Sequence, residues 1–374
     1  MDNLNVIHTI NTLWKSSGVT HAVVESANYS ASLGHKVVII TWKKPNSFEK
    51  SSLSPNTTLI SLEKNKFFLY NFIVFYRVLL KYINYNQHNN RKFIIHDHGL
   101  WLESNIAAGL IAYFKKIPVI VSTHGMLEPW ALKHQIIKKK IAWYIYQKWL
   151  LIIPKMIHVT AQSEKQSIQN LLPKKNIRII PLGVKKIVTP STCQNKTAIF
   201  LSRIHIVKGL EILIDAWIEM DQDWQLIIAG PSDALYLETL KQKIKHLGLT
   251  NRITFIGPIY DEEKINLLTK ASLFILPSYS ENFGIVIAEA MMAGLPIITT
   301  NTTPWLEVIN RNCGWIISPD VDELKNTLRI VSQLDHNELR RMGQIGRAWM
   351  FESYTWEIYG SNINKVYQKL LHST

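Results

Sequence analysis

Short apolar runs alternate with segments of helical length along nearly the whole chain. In the first half, the runs predicted to be strands are Val6–Ile10, Val37–Thr41, Phe93–His96, Val119–Ser122, Ile157–Thr160 and Ile177–Ile180. In the second half they are Ala198–Leu201, Gln225–Ala229, Ile253–Ile256, Leu273–Leu276, Ile297–Thr299 and Gly314–Ile317. Strands that alternate with helices form parallel βαβ units, so the pattern predicts an α/β fold with two consecutive doubly wound sheets.

The length of the chain agrees with two domains. A chain of 374 residues exceeds one ordinary hydrophobic core, and its 47% hydrophobic and 19% charged residues exclude a disordered protein. We place the boundary at Pro181-Leu182-Gly183, so that residues 1–180 and 181–354 form two Rossmann-like domains. In open α/β sheets, ligands bind beyond the carboxyl ends of the strands, and functional residues are expected there.

Two glutamates lie eight positions apart in the segment from Pro277 to Thr300. Glu281 stands in a predicted loop after a buried strand, and Glu289 lies about one and a half turns into a helix that starts near Gly284. That helix is rich in alanine and apolar around Glu289. A carboxylate there costs several kcal/mol to bury unless it is paired or hydrogen-bonded. Sugar hydroxyls are such partners, which points to a carbohydrate ligand.

Other polar residues also follow predicted strands. Arg203 and Lys208 come after the first strand of the second half, where a guanidinium and an ammonium together could neutralise a diphosphate. The alternative is that both are solvated at the end of a strand. Gly18 follows the first strand of the chain and would let the backbone approach a phosphate. His124 and Gly125 follow the strand Val119–Ser122.

These residues resemble the motifs of the retaining nucleotide-sugar glycosyltransferases of the GT-B fold, the large family-four group. Glu281 and Glu289 match the E-x7-E signature of that family, and Arg203 with Lys208 match its phosphate-binding pair. Two strand ends of the second domain also match, Ile227–Pro231 and Phe255–Gly257. In the first domain, Ser122–Gly125 matches the histidine loop of the family. The resemblance spans roughly residues 5–370 and implies two Rossmann-like domains that face each other across a cleft.

The resemblance also assigns roles. It makes Glu281 the contact of the donor sugar, Glu289 the ligand of the ribose, and His124 a contact near the 6-position of the sugar. The predicted catalytic residues are His124, Arg203, Lys208 and Glu281. The predicted donor-binding residues are Gly18, Asn282, Phe283, Gly284 and Glu289. Asn282 stands where the family commonly has glycine, and Ser17 replaces the first of two glycines at the Gly18 loop. A terminal helix, within residues 355–374, should cross back to the first domain.

The activity implied is transfer of a sugar, with retention, from a nucleoside-diphosphate sugar to a saccharide. A dehydrogenase or P-loop enzyme is disfavoured because the chain lacks both G-x-G-x-x-G and a Walker lysine loop. Two alternatives stay open. A nucleotide-sugar 2-epimerase of the same fold would need no acceptor, and a non-catalytic subunit would use the fold to hold a partner transferase.

No cofactor and no metal are predicted. The 13 histidines are scattered in the sequence, and no carboxylate–histidine pair has convincing ligand spacing. Asp97, between His96 and His98, is the nearest candidate. It resembles a D-x-D motif only weakly, and the family does not use that motif.

The positive charge is concentrated in the first half. Residues 1–180 contain 23 Lys and Arg against 8 Asp and Glu, whereas residues 181–374 contain 19 against 20. The acid-free stretch from Pro129 to Ser163 includes Lys138-Lys139-Lys140 and several aromatic residues, which is typical of an interfacial helix. The alternative is a helix whose apolar side lies in the core. Nucleic acid is not expected, because no nucleic-acid-binding module accompanies the charge.

The charge suggests an acceptor carried by lipid on an anionic membrane, with Asp97, His98, Lys138, Lys139 and Lys140 on the acceptor and membrane side. A lipid-linked saccharide implies bacterial lipopolysaccharide O-antigen, capsule or exopolysaccharide synthesis. The stretch HGMLEPWALKH resembles transferases of such gene clusters.

The expected location is the cytoplasm, peripheral to the inner face of the membrane. Two cysteines, Cys193 and Cys313, cannot form a disulfide framework, which favours a reducing compartment. The first residues lack the pattern of a signal peptide. The most apolar segment, Phe67 to Ile83, contains polar residues and falls short of the ~20 apolar residues that span a bilayer.

Overall fold

The computed structural model describes residues 3–14, 18–43, 52–88 and 91–372. The chain divides into two compact units. Unit 1 comprises residues 1–183 and 356–374, and unit 2 comprises residues 184–355. The boundary predicted at Pro181-Leu182-Gly183 coincides with the end of the first segment of unit 1.

Unit 1 contains a parallel sheet of seven strands in the order β3-β2-β1-β4-β5-β6-β7. Its strands are β1 (Asn5–Thr12), β2 (Lys36–Lys43), β3 (Thr57–Glu63), β4 (Phe93–His98), β5 (Val119–Ser122), β6 (Met156–Val159) and β7 (Ile177–Ile179). The strand order reverses between β1 and β4, which are hydrogen-bonded neighbours. Ligand sites in doubly wound sheets lie at such a switch point, beyond the carboxyl ends of the strands.

Eight helices accompany this sheet among the described residues. They are α1 (Gly18–Ser32), α2 (Phe68–Asn86), α3 (Glu103–Lys115), α4 (Pro129–Lys133), α5 (Ile136–Ala142), α6 (Lys148–Ile152), α7 (Gln162–Leu171) and, at the end of the chain, α15 (Trp356–His372). The terminal helix α15 belongs to unit 1 and packs against α1. A Cβ on Gly360 of α15 would lie 2.0 Å from the ring of Tyr29 in α1, so glycine permits this close packing.

Unit 2 contains a parallel sheet of six strands in the order β10-β9-β8-β11-β12-β13. Its strands are β8 (Thr197–Leu201), β9 (Gln225–Ala229), β10 (Ile253–Gly257), β11 (Leu273–Leu276), β12 (Ile297–Thr300) and β13 (Gly314–Ile317). Its α-helices are α8 (Leu210–Ala216), α9 (Ala234–His246), α10 (Asp261–Lys270), α11 (Ile285–Met292), α12 (Glu307–Asn310), α13 (Val321–Ser332) and α14 (His336–Ser353). The switch point lies between β8 and β11.

The central strands are fully buried, as parallel sheets covered on both faces require. Every residue of β11 and β12 is buried. Helix α11 is buried along most of its length, including Glu289, because it packs between the sheet and α14. A carboxylate is therefore held inside an apolar helix close to the switch point.

All twelve predicted strands are present, and the predicted α/β fold is confirmed. The strand β3 and the helices α12 and α14 were not predicted. The partly exposed strand β3 lies at the edge of its sheet, so its apolar pattern is weak. The basic segment predicted as one helix is interrupted: α4 ends at Lys133, and Gln135, with φ +54°, precedes α5. A π-helical turn over Trp143–Gln147 then separates α5 from α6.

None of the helices in the described ranges is both long enough and apolar enough to cross a lipid bilayer. The most apolar segment forms α2, which buries Phe75, Leu79 and Ile83 and exposes Leu69 and Tyr70. The cysteines Cys193 and Cys313 are both free thiols in buried positions of unit 2.

Candidate active site

The loops after β8 and β11 meet at the switch point of unit 2. The backbone N–H of Tyr279 donates to the carbonyl oxygen of Val207 at 2.8 Å, which ties the two loops together. Gly209 has φ +67°, and a Cβ there would lie 2.0 Å from the carbonyl oxygen of Pro277. Only glycine allows this approach, and the approach brings the end of the first loop beside Glu281.

Glu281 and Lys208 form an ion pair in this position. The ammonium of Lys208 lies 2.6 Å from Oε1 of Glu281, and Ser278 Oγ donates to the same oxygen at 2.9 Å. The side chains of Lys208 and Glu281 are only 12% and 10% exposed. The sequence places these residues 73 positions apart, and the fold makes them partners. Glu281 therefore neutralises the charge of Lys208 until a ligand competes for the ammonium group.

Arg203 stands apart from this ion pair. Its side chain is exposed after the end of β8. Among the hydrogen bonds and ion pairs of the described residues, none involves the Arg203 guanidinium. It offers a free cation for an incoming anion at the carboxyl end of the sheet.

Glu289 has one engaged oxygen and one unpaired oxygen. Lys264 of α10 donates to Oε1 of Glu289 at 2.6 Å. The second oxygen, Oε2, is buried and has no hydrogen-bond partner among the described residues. A buried unsatisfied carboxylate oxygen costs about 1–3 kcal/mol or more, so this atom is suited to accept from a ligand hydroxyl.

The tripeptide between the glutamates turns its aromatic side chain into the core. Phe283 is buried against Trp305, with ring centroids 5.2 Å apart, and its carbonyl oxygen accepts from Trp305 Nε1 at 2.6 Å. A donor contact by Phe283 would therefore come from its backbone. Gly284, with φ +68°, is the N-cap of α11. Asn282 Oδ1 is buried without a partner among the described residues.

In unit 1, His124 lies on a strained turn after β5. Its φ is +49°, and that of Gly125 is +75°. Left-handed backbone at a non-glycine residue persists only where the surroundings enforce it. Here the enforcing group is Glu164 of α7, whose Oε1 accepts from Thr123 Oγ1 and from the Gly125 N–H, both at 2.6 Å.

The second oxygen of Glu164 accepts from the backbone N–H of Thr160 at 2.9 Å. Both oxygens of the Glu164 carboxyl thus accept hydrogen bonds from residues that follow β5 and β6. Burial raises the pKa of this carboxyl. Sequence reasoning missed this residue, since it reads as one more polar residue in the first turn of a helix. We regard Glu164 as the residue that holds the His124 turn in place.

Asp97 and His98, predicted on the acceptor and membrane side, are buried, so neither side chain can lie on a surface that faces a membrane. Asp97 accepts from Thr9 Oγ1 at 2.6 Å and from Asn105 Nδ2 at 2.9 Å, so it joins β1, β4 and α3. Burial raises its pKa to about 7. His98 Nδ1 lies 3.1 Å from His124 Nε2, which places His98 directly behind the candidate catalytic histidine.

Histidines that are scattered in sequence converge in unit 1. The strands β1, β4, β5 and β6 are neighbours, and they bring together the buried residues His8, His96, His98 and His158 and the half-buried His124. Burial lowers the pKa of each, to about 3 for His8 and His124 and to about 4 for His158. These imidazoles are neutral near pH 7.

Three of them, His8, His96 and His98, have ring nitrogens within 4.8 Å of one another. The rings of His96 and His98 are stacked, with centroids 4.1 Å apart, so their nitrogens do not converge as metal ligands do. Both ring nitrogens of His96 and of His98 already face hydrogen-bond partners, and so does Nδ1 of His8. This donor set fits a hydrogen-bond network, and metal independence stays a prediction.

The three consecutive lysines have different environments. Lys138 and Lys140 are exposed, whereas Lys139 is half-buried. Lys139 Nζ donates to the carbonyl oxygen of Ala131 and lies 6.0 Å from the ring centroid of Trp101. Burial lowers its pKa. Only two of the three lysines can therefore face an anionic surface.

Gly18 is the first residue of α1, and the loop before it, residues 15–17, lies outside the described residues. The structure also adds residues that the sequence did not indicate. Lys264 and Ser278 are the partners of the two glutamates. Lys264 reaches Glu289 from a different helix, whereas Ser278 lies only three residues before Glu281. For Ser278, its position directly after β11 was the available signal.

Two family models match the chain. Residues 186–349 match the model described as glycosyl transferases group 1, and residues 16–186 match glycosyltransferase family 4. The two matches meet at residue 186 and correspond closely to the two units.

The individual relatives and solved structures have low sequence identity to this chain. The MMP alpha-(1->4)-mannosyltransferase of Mycolicibacterium hassiacum is 28% identical over 235 residues, which is 59% of this chain and 55% of that protein. The chain thus spans about half the length of this curated relative. HepE of Anabaena, solved with UDP and glucose, has a TM-score of 0.79 at 17% identity and covers 98% of this chain and 100% of HepE. WaaG, a glycosyltransferase involved in lipopolysaccharide biosynthesis, has a TM-score of 0.71 at 15% identity and covers 96% and 98%.

Proposed function

The chain belongs to the group 1, family 4 glycosyltransferases of the GT-B fold, and from this premise we propose that it transfers a sugar from a nucleoside-diphosphate sugar to a lipid-linked saccharide, with retention. The bond between the anomeric carbon and the diphosphate oxygen breaks, and a bond from an acceptor hydroxyl oxygen to that carbon forms. The proton of this hydroxyl passes to the departing diphosphate. No protein nucleophile is required.

The observation that carries the donor proposal is the polar cluster at the switch point of unit 2. Glu289 presents a buried oxygen with no partner in the described part of the chain, which suits a ribose hydroxyl. The exposed Arg203 and the paired Lys208 supply cations for a diphosphate. Fixed cations stabilise the leaving group more in the transition state than in the ground state, which is how they would raise the rate.

A panel of nucleoside-diphosphate sugars tests the donor class. A ligand present at 100 times its Kd stabilises a protein by about 2.7 kcal/mol, so the true donor should raise the melting temperature visibly. Incubation of that donor with a saccharide acceptor should then release nucleoside diphosphate, and NMR of the product should show the anomeric configuration of the donor. Donor converted without any acceptor would favour a 2-epimerase. Binding without either reaction would favour a non-catalytic subunit.

Glu289→Ala is expected to weaken binding of the free nucleoside diphosphate itself. The loss of a charged hydrogen-bond partner of the ribose costs roughly 1.5–3 kcal/mol, which calorimetry measures as a ten- to hundredfold higher Kd. Lys264→Met is the matched control, because it removes the ion-pair partner and keeps the carboxylate. It should weaken binding less. An unchanged Kd for the Glu289 variant would exclude the ribose role.

The proposal of a lipid-linked acceptor rests on the surface of α4, α5 and α6. The residues Ile137, Tyr144 and Ile145 are 73%, 82% and 73% exposed, beside the exposed Lys138 and Lys140. Trp149, at 41% exposure, extends this surface to Tyr113 of α3 through an edge-on ring contact. Exposed apolar side chains beside lysines fit the interface of an anionic membrane. A helix that buries its whole apolar side, the alternative reading, would not leave these residues exposed.

Changing Lys138 and Lys140 to Glu is expected to release the protein from anionic vesicles. Each lysine contributes about 1 kcal/mol near a negative surface, so the double variant should bind at least about thirtyfold more weakly. Sedimentation with phosphatidylserine-containing vesicles at low salt measures this. Donor binding should persist.

The matched control is Lys241→Glu with Lys245→Glu, since both lysines are exposed on α9 of unit 2. This variant carries the same change in net charge and should pellet with the vesicles like the wild type. If the wild-type protein stays in the supernatant at low salt, the membrane proposal is wrong and a soluble acceptor must be sought.

A further inference from the structure

Five histidines of unit 1 form two separate hydrogen-bonded chains. The first, the Tyr367 chain, consists of Tyr367, His96, Ser122, His158 and the carbonyl group of Ile180. The second, the His124 chain, consists of His8, His98 and His124. Each neutral imidazole has one N–H and one bare nitrogen, so every hydrogen bond must be given a direction.

The direction of the Tyr367 chain follows from its last member. The carbonyl oxygen of Ile180 can only accept, so His158 Nε2 carries the proton and donates at 2.8 Å. His158 Nδ1 is then bare and accepts from Ser122 Oγ at 2.6 Å. The Ser122 oxygen in turn accepts from His96 Nε2, also at 2.6 Å.

His96 Nδ1 is consequently bare and accepts from the hydroxyl of Tyr367 at 2.7 Å. Burial raises the pKa of Tyr367 well above its ordinary value, so this hydroxyl keeps its proton. The N–H of His96 is thus committed to Ser122. It is not available to the His124 chain.

The His124 chain has two possible directions. His8 Nδ1 lies 2.9 Å from His98 Nε2, and His98 Nδ1 lies 3.1 Å from His124 Nε2. If the donors point towards His8, its Nε2 must carry a proton. That nitrogen is buried and has no hydrogen-bond partner among the described residues.

If the donors point towards His124, His8 Nε2 is a bare lone pair instead. In native proteins, buried N–H groups without an acceptor are rarer than buried acceptors without a donor, so this second direction is favoured. His98 Nδ1–H then donates to His124 Nε2. The proton of His124 must lie on its other nitrogen, Nδ1, which makes no hydrogen bond within the described part of the chain.

We propose that His98 and His8 are positioning residues that hold His124 as its neutral Nδ1–H tautomer, so that His124 offers a fixed hydrogen-bond donor to an oxygen atom of the bound substrate. The inference rests on the proposed function for the identity of that substrate. Glu164 fixes the backbone of the same turn through Thr123 and Gly125, so the backbone and the ring of His124 are held by different elements. A donor that needs no reorientation stabilises charge at lower cost during reaction.

The direct test is NMR of the protein labelled with ¹⁵N-histidine at pH 7.5. Two-bond proton–nitrogen correlations distinguish a protonated ring nitrogen from a bare one, and His124→Ala identifies the signals of His124. We expect protonated Nδ1 and bare Nε2. A protonated Nε2 would overturn the proposal, whether or not the protein transfers sugar. Conversely, the expected tautomer in a protein that transfers nothing would refute only the proposed function.

Variants of similar size at residue 98 test whether the hydrogen bond from this residue to His124 contributes to catalysis. In His98→Asn the amide N–H can still donate to His124 Nε2, whereas His98→Leu has similar volume and no donor. We expect kcat within about threefold of wild type for Asn and at least about tenfold lower for Leu, with the KM of the donor little changed. The NMR signals of His124 should keep the Nδ1–H pattern in the Asn variant. Equal kcat for Asn and Leu would show that the hydrogen bond from residue 98 has no part in catalysis.

Discussion

Glu281→Gln is expected to lower the turnover number of sugar transfer by at least about a hundredfold and to leave nucleoside-diphosphate binding intact. The substitution preserves size and removes the charge that lies 2.6 Å from Lys208. Under the proposed function this carboxylate contacts the donor sugar, and the freed Lys208 can pair with the diphosphate. Initial rates and calorimetry on the same preparation separate the two effects.

The matched control is Glu238→Gln, an exposed residue on α9. It should be indistinguishable from wild type in both measurements. Near-normal turnover of the Glu281 variant would remove this residue from the catalytic set. A large loss of nucleoside-diphosphate binding would instead mean that the ion pair shapes the diphosphate site and that Lys208 cannot hold its position alone.

The ion pair also changes what is expected of the two cations. Arg203 and Lys208 look equivalent in the sequence, as a pair beside one diphosphate. In the structure Arg203 is exposed, whereas Lys208 is nearly buried against Glu281. Breaking a buried pair by removing either partner is strongly destabilising, so Lys208 and Glu281 should both be far less tolerant of substitution than Arg203. Any ligand that uses Lys208 must compete with Glu281.

The periodicity of the sequence was sufficient for the sheets and for the neighbourhood of the site in unit 2. Strands such as β11 are short continuous apolar runs. Glu281 and Glu289 follow β11 closely, so the local sequence pattern was sufficient to predict that they lie near the end of this strand. The strand β3 was missed because an edge strand exposes part of its surface and needs no apolar run.

Contacts between distant segments could not be predicted in the same way. Lys264 is an ordinary helical lysine until α10 is placed against α11. The convergence of His8, His96 and His158 depends on the strand order, which periodicity does not specify. The burial of Asp97 has the same cause, because its partners Thr9 and Asn105 come from two other elements.

Six histidines of unit 1 have a pKa lowered by burial, namely His35 and the five of the two hydrogen-bonded chains, and they are expected to make this unit unusually sensitive to acid. The unfolded chain binds a proton on each of them as the pH falls through about 6.5, whereas burial lowers the pKa in the folded protein, to about 3 for His8 and His124 and about 4 for His158. The unfolded state therefore binds more protons between pH 6.5 and 4, and the free energy of unfolding must fall as the pH falls.

Two buried acids act in the opposite direction. The pKa of Asp97 is about 7 in the folded protein against an ordinary 3.8, so the folded state carries an extra proton between these values. Burial also raises the pKa of Glu164. With these offsets, unfolding near pH 5.5 should take up about three protons, and the free energy of unfolding should fall by about 4 kcal/mol per pH unit.

Urea unfolding at pH 7.5, 6.5 and 5.5, followed by circular dichroism, measures this slope. Because a domain is stabilised by only about 5–15 kcal/mol, this loss should lower the urea midpoint of unit 1 strongly by pH 5.5. His98→Asn removes one buried imidazole and should lower the slope by about 1.4 kcal/mol per pH unit. His246→Gln, at an exposed position of α9 in unit 2, should leave the slope unchanged.

If two unfolding transitions are resolved, only the transition of unit 1 should move with pH. A stability that is constant from pH 7.5 to 5.5 would mean that water or a bound ion solvates these imidazoles, and the hydrogen-bond directions derived from their neutrality would have to be abandoned.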